Sequence, residues 1–78
     1  MIRELDTVVL AHDIDKSGLK QGDLGAVVHC YADGAAFEVE FVTAEGRTVA
    51  VLTLTDEDIR PVGNKEILHV RQLSQELP

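Results

Sequence analysis

Phe37-Glu38-Val39-Glu40-Phe41 is the stretch on which the fold turns. Its apolar and acidic residues alternate strictly. Successive side chains of a β-strand point to opposite faces, so Phe37, Val39 and Phe41 are expected to face a core and Glu38 and Glu40 to face water. On the N-terminal side lies Asp33-Gly34, a turn dipeptide whose glycine tolerates the positive φ of tight hairpins. Before it comes another apolar run, Ala26-Val27-Val28-His29-Cys30-Tyr31. On the C-terminal side, Glu45-Gly46 turns the chain back into Val49-Ala50-Val51-Leu52-Thr53-Leu54. Short β-branched runs between glycine- and aspartate-bearing breaks are the signature of a sheet.

The flanks extend the pattern. Thr7-Val8-Val9-Leu10-Ala11 is a first strand, followed by a polar stretch from His12 to Asp23 that contains Gly18 and Gly22. That stretch is long for a hairpin loop, and long loops are commonly functional or specifically packed. The run from Val49 to Leu54 is apolar on both faces, with Ala50, Leu52 and Leu54 on one and Val49, Val51 and Thr53 on the other. Such a strand is either wrapped by its own barrel and loop or covered by another chain. In Thr55-Asp56-Glu57-Asp58 a threonine precedes an acid by three residues, which is a capping arrangement and marks a short helical turn. Ile59-Arg60-Pro61-Val62 then reads as the last strand, and Gly63-Asn64 breaks the chain. In the tail, Ile67, Val70 and Leu77 fit a helical stripe, while Ile67 to Arg71 also fits a sixth strand. Its apolar content predicts that it docks, on its own barrel or on a neighbour.

Composition narrows the class. The 78 residues form one domain, and a domain this small is marginal unless well packed or stapled. Cys30 is the only cysteine, which removes internal disulfides and zinc ribbons. Fourteen acids against seven bases give a net charge of −7, which repels phosphate backbones and anionic lipids and suits a basic partner or simple solubility. The N-terminus, Met1-Ile2-Arg3-Glu4-Leu5-Asp6, lacks the pattern of a signal peptide, and no apolar run approaches membrane-spanning length. The expected location is the cytoplasm.

Five short strands, one long loop after the first and one helical turn before the last predict an all-β fold, a small SH3-like barrel. It should occupy residues 4–63, with 64–78 as a C-terminal extension. Closing such a sheet hides its edges. Gly22-Asp23-Leu24-Gly25-Ala26-Val27-Val28 resembles the glycine-centred start of a strand in KOW-type SH3-like domains. A longer pattern runs through Leu5-Asp6-Thr7-Val8-Val9-Leu10, Gly18-Leu19-Lys20-Gln21-Gly22-Asp23-Leu24-Gly25, Phe37 to Phe41, Ala50 to Leu54 and Asp58-Ile59-Arg60-Pro61. It resembles the bacterial family called domain of unknown function 4926 over roughly residues 4 to 62. The resemblance implies a small bacterial protein with an SH3-like barrel and no catalytic residues to carry over. It also permits a role beside a partner protein, such as the neutralising half of a toxin–antitoxin-like pair.

Candidate chemistry is sparse. His12, His29 and His69 have no helical spacing to one another or to Cys30, and His29 and Cys30, adjacent on a strand, point to opposite faces. Asp13, Asp15 and Asp23 lack calcium-loop spacing, and loop aspartates commonly bond their own backbone. Glu38 and Glu40 share a strand face with no apolar pocket predicted around them. Phosphate-loop spacing is missing. Tyr31, Phe37 and Phe41 are too few for an aromatic groove or a stacking platform, and the basic spot at Arg60, Lys65 and Arg71 is interrupted by Glu66.

The expectation is therefore a non-catalytic protein-interaction module without cofactor, either a homo-oligomer or the small subunit of a complex. The partner is a protein rather than nucleic acid or membrane. The expected contact residues are Val49, Val51, Ile67, Leu68 and Val70. A KOW-like nucleic-acid or ribosome-associated module and an accessory subunit of an enzyme stand as alternatives.

Overall fold

The structure is a computed structural model and describes residues 1–73. Its strands are β1 (Thr7–Leu10), β2 (Leu24–Cys30), β3 (Phe37–Val42), β4 (Thr48–Leu54) and β5 (Ile59–Pro61). They form one antiparallel sheet in the order β4-β3-β2-β1-β5. The alternation in β3 is realised as expected: Phe37, Val39 and Phe41 are 5%, 0% and 2% exposed. Around them pack Val8 and Leu10 of β1, Val27 of β2, Leu54 of β4 and Ile59 of β5. Leu54 and Ile59 belong to opposite ends of the strand order yet share one cluster, so the sheet curls on itself.

The long loop is specifically packed. A 3-10 turn at Asp15–Ser17 and a bridge between Ile14 and Leu19 fold it back, and Leu19 drops into the core. Before β5, Asp58 accepts hydrogen bonds from the Thr55 amide (2.9 Å) and hydroxyl (3.2 Å), while the Glu57 amide donates to Thr55 Oγ1. The anticipated capping exchange closes this turn. At the tip between β3 and β4, Gly46 adopts φ +90°, which its missing Cβ makes inexpensive.

Gly25 has a different task. It lies on β2 opposite Val8, and a Cβ there would sit 2.6 Å from Val39 Cγ1 and 2.8 Å from Phe41 Cε2. The Phe41 ring thus occupies the space above a bare backbone.

Three features depart from the sequence reading. The first is a pair of β-bulges. Val27 pairs with Val39 but His29 with Glu38, leaving Val28 as the extra residue of β2. Ala50 pairs with Phe41 but Thr48 with Val42, leaving Val49 as the extra residue of β4. A bulge resets the two-residue period, so Val49 does not share the face of Val51 and packs, half-buried, against the core.

The second is that hydrogen bonding does not close the barrel. No ladder joins β4 to β5 among the described residues. Both outer strands keep an edge, blunted in β5 by its short length and its proline. The third concerns which strand is covered twice. It is β1, where Val8, Val9 and Leu10 are all buried, whereas Val51 and Thr53 of β4 are exposed. The tail from Gly63 to Leu73 contains neither helix nor strand beyond a turn at Asn64-Lys65. The part of the helical stripe that includes Leu77 lies outside the described residues.

Candidate interaction surface

The tail leaves β5 and is fastened at two points. At the first, Arg60 donates from both terminal nitrogens to the Glu66 carboxylate, at 2.8 and 2.6 Å, and the Gly63 amide donates to Glu66 Oε1 at 2.6 Å. These donors hold the Glu66 carboxyl down at about 2, the Arg60 guanidinium contributing most and the Gly63 amide next. At the second point, Arg71 forms a two-pronged pair with Asp23, Nε to Oδ1 at 2.8 Å and a terminal nitrogen to Oδ2 at 2.6 Å. The same arginine reaches the Gly18 carbonyl at 3.0 Å. Asp23 also accepts the Lys20 amide at 2.9 Å. Burial pushes its carboxyl upward, but Arg71 and that amide outweigh burial and leave it below the usual carboxylate value. Forked arginine–carboxylate pairs fix orientation as well as distance, so the second fastening ties the tail to the long loop.

Between the fastenings the chain lies over the outer side of β1. Val9, Leu24, Val62, Leu68 and His69 line a shallow cleft of about 180 Å³ there. Val9 is 6% exposed although it lies outside the main core cluster, and it lines this cleft together with Leu68 and His69 of the tail. The other tail side chains are not absorbed: Ile67 and Val70 are 90% and 89% exposed, and Leu68 is 65% exposed. Of the two docking alternatives for this segment, its Glu66 and Arg71 side chains tie it to its own domain while Ile67 and Val70 point out.

A second surface is the outer face of β3 and β4. Glu38 accepts hydrogen bonds from Tyr31 Oη and Thr53 Oγ1, and Glu40 accepts one from Thr48 Oγ1 at 2.6 Å. The Thr53 and Tyr31 hydroxyls hold the Glu38 carboxyl below its ordinary value, and Glu38 in turn raises the Tyr31 phenol. His29 stands edge-on to Tyr31, centroids 4.8 Å apart, with Glu4 at 3.6 Å. Val51, opposite Glu40, is 52% exposed. These carboxylates lie on an open face and hold hydroxyls.

The structure therefore divides the five predicted contact residues. Ile67, Leu68 and Val70 lie on the tail, Val51 on the outer face of β4, and Val49 against the core. The sheet order sets β4 and the β5 strand that leads into the tail at its two margins. Elsewhere, Asp13 accepts the Gln21 amide, and Lys20 reaches Asp15 at 3.3 Å, so the loop aspartates serve the loop. His12 contacts Asp58 at 2.7 Å, and its imidazole is raised chiefly by that bond and then by the Asp13 carbonyl. Cys30 is half-buried with its sulfur facing Ile2, on the side opposite exposed His29. The Asp23–Arg71 pair escapes a sequence reading because 48 residues separate its members and neither carries a local motif.

A family model described as Domain of unknown function (DUF4926) matches residues 4–61. The chain belongs to the DUF4926 family. No curated protein and no solved structure compared with it matches. The DUF4926 segment holds all five strands and ends with β5 at Pro61. Each fastening joins one residue of that segment, Arg60 or Asp23, to one beyond it, Glu66 or Arg71. No helix among the described residues is long and apolar enough to cross a membrane.

The first fastening has a pH signature. Because the folded carboxyl of Glu66 lies below its unfolded value of 4.5, the pair's contribution is complete above 4.5 and fades as the pH falls toward about 2. A side-chain NMR titration should give a Glu66 midpoint near 2, with the Gly63 amide moving in step. A midpoint at the ordinary glutamate value would mean that the pair does not form in solution.

Proposed function

We propose that this DUF4926 protein is a non-catalytic interaction module that works in the cytoplasm as a homo-oligomer or as the small subunit of a complex. The observation that carries this reading is the fastened tail. Two forked ion pairs hold its backbone while Ile67, Leu68 and Val70 project into solvent. Ordering a chain segment costs conformational entropy, roughly 1–2 kcal/mol per residue for the backbone alone. Apolar side chains set out on such a segment are already oriented, so a partner that buries them meets less of that cost. The surrounding charges supply the polar rim typical of specific interfaces.

Native mass spectrometry of protein purified from its own cells tests the reading. The expected result is an assembly, with itself or with another chain, that falls to the 8.5 kDa monomer when Ile67, Leu68 and Val70 are all changed to serine. Circular dichroism should show the sheet intact in that variant. A wild-type protein that remains a lone monomer in native extracts would overturn the proposal.

A further inference from the structure

The free edge of β4 points to the chemistry of the partner. From Thr48 to Thr55 the chain carries no charge and no proline, although charges, prolines and short length are the usual means of blunting an edge strand. The bulge at Val49 lies near its start and leaves Ala50 to Leu54 in regular register with β3. Alternate residues of that stretch turn backbone amides and carbonyls away from β3, and among the described residues no strand pairs with them. The core is also unfinished here. Ala50 and Leu52 are half-buried, although they pair with Phe41 and Val39, which are almost wholly buried.

Charge around the edge is one-sided. Glu45 stands exposed before β4, and Asp56 and Glu57 stand exposed after it. Glu38 and Glu40 line the next strand on the outer face. Across Thr43 to Asp58 the only base is Arg47. A second copy would bring two such acidic rims together, each on a chain of net charge −7. An extended segment bearing lysine or arginine would meet them favourably.

We propose that the edge of β4 accepts an extended basic segment of a partner protein as a sixth strand. Backbone hydrogen bonds supply the affinity, and the segment's basic side chains lie over Glu38 and Glu40 while its apolar ones complete the cover of Ala50 and Leu52. This rests on the interaction-module reading and assigns the partner's charge and conformation.

The probe is a synthetic peptide alternating valine and lysine. Its controls are a valine–glutamate peptide and a lysine peptide N-methylated on alternate amides. With the lysine peptide at roughly ten times its Kd, the outward amides of Ala50–Leu54 should exchange about tenfold more slowly. Binding should weaken with salt, and it should be lost for the glutamate peptide, for the methylated peptide and in Val51→Lys. Equal binding of the methylated peptide would reduce the contact to general charge attraction and overturn the proposal, as would no binding at low salt. Slow exchange of those amides in the peptide-free protein, together with a dimeric mass, would assign the edge to a second copy and overturn it too. Peptide binding should persist in the variant with serine at residues 67, 68 and 70. A native assembly that depends on the tail, with no peptide binding at β4, would remove this inference and leave the module reading standing.

Discussion

Gly25→Ala is expected to destabilise the protein by about 1–3 kcal/mol, a large effect for one methyl group. Added atoms in a close-packed core force neighbours off their rotamers or shift the backbone. The new Cβ would lie 2.6 Å from Val39 Cγ1 and 2.8 Å from Phe41 Cε2. Val39 is fully buried and Phe41 nearly so, which leaves neither much room to retreat. Glycine inside a strand ordinarily weakens it, so substitution by alanine at an unconstrained strand position would stabilise. Here the close approach reverses the sign. For a domain of this size each kcal/mol corresponds to roughly 4–8 °C in melting temperature. Thermal melts followed by circular dichroism should therefore show a clear drop, partly recovered in Gly25→Ala/Phe41→Leu. An unchanged melting temperature would mean that the Phe41 ring does not sit over Gly25.

Phe41→Ala is expected to cost more, about 3–5 kcal/mol. The ring is the largest of the fully buried side chains and sits in the one main cluster that joins all five strands. Small domains hold a reserve on the order of 5 kcal/mol, and this one has no disulfide to limit the unfolded state. The variant should lose most of its cooperative urea transition at 25 °C. Adding Gly25→Ala to it should cost less than in the wild type, because the new methyl group then enters vacated space. That non-additivity is the mark of direct contact. Simple addition of the two effects would separate the residues.

The same contact shows where sequence reasoning succeeds and where it stops. The alternation from Phe37 to Phe41 reveals the core face directly, because a strand's period is its own geometry. The turns at Gly34 and Gly46 are equally legible, since both glycines take positive φ, +72° and +90°. The capping exchange of Thr55 and Asp58 is local and is legible for that reason. Bulges are a different matter. Nothing in Val28 or Val49 marks it as the extra residue, and each shift in period moves side chains across the sheet. Strict alternation therefore places Val49 with Val51, whereas it packs inward. An apolar run on both faces leaves β4 either wrapped by its own barrel or covered by another chain; within this chain its outer face stays open, and β1 is the strand with Val8, Val9 and Leu10 all buried. The cleft beside its Val9 is lined in part by a tail fixed by charges 48 residues apart, Arg71 and Asp23. The interruption of the basic spot at Arg60, Lys65 and Arg71 by Glu66 is itself an ion pair, and both arginines are engaged by carboxylates.

The cleft that Val9 shares with the tail bears on the unit that folds. The segment matched by the family model stops at residue 61, but the cleft on the outer side of β1 is lined also by residues beyond that point. A fragment trimmed to the shared segment would keep every strand and lose both ion pairs and one wall of that cleft. Whatever draws those last residues aside, be it a protease, a fusion or a binding partner, opens one side of that cleft. The domain's outer limit is thus set by two ion pairs instead of by its last ladder.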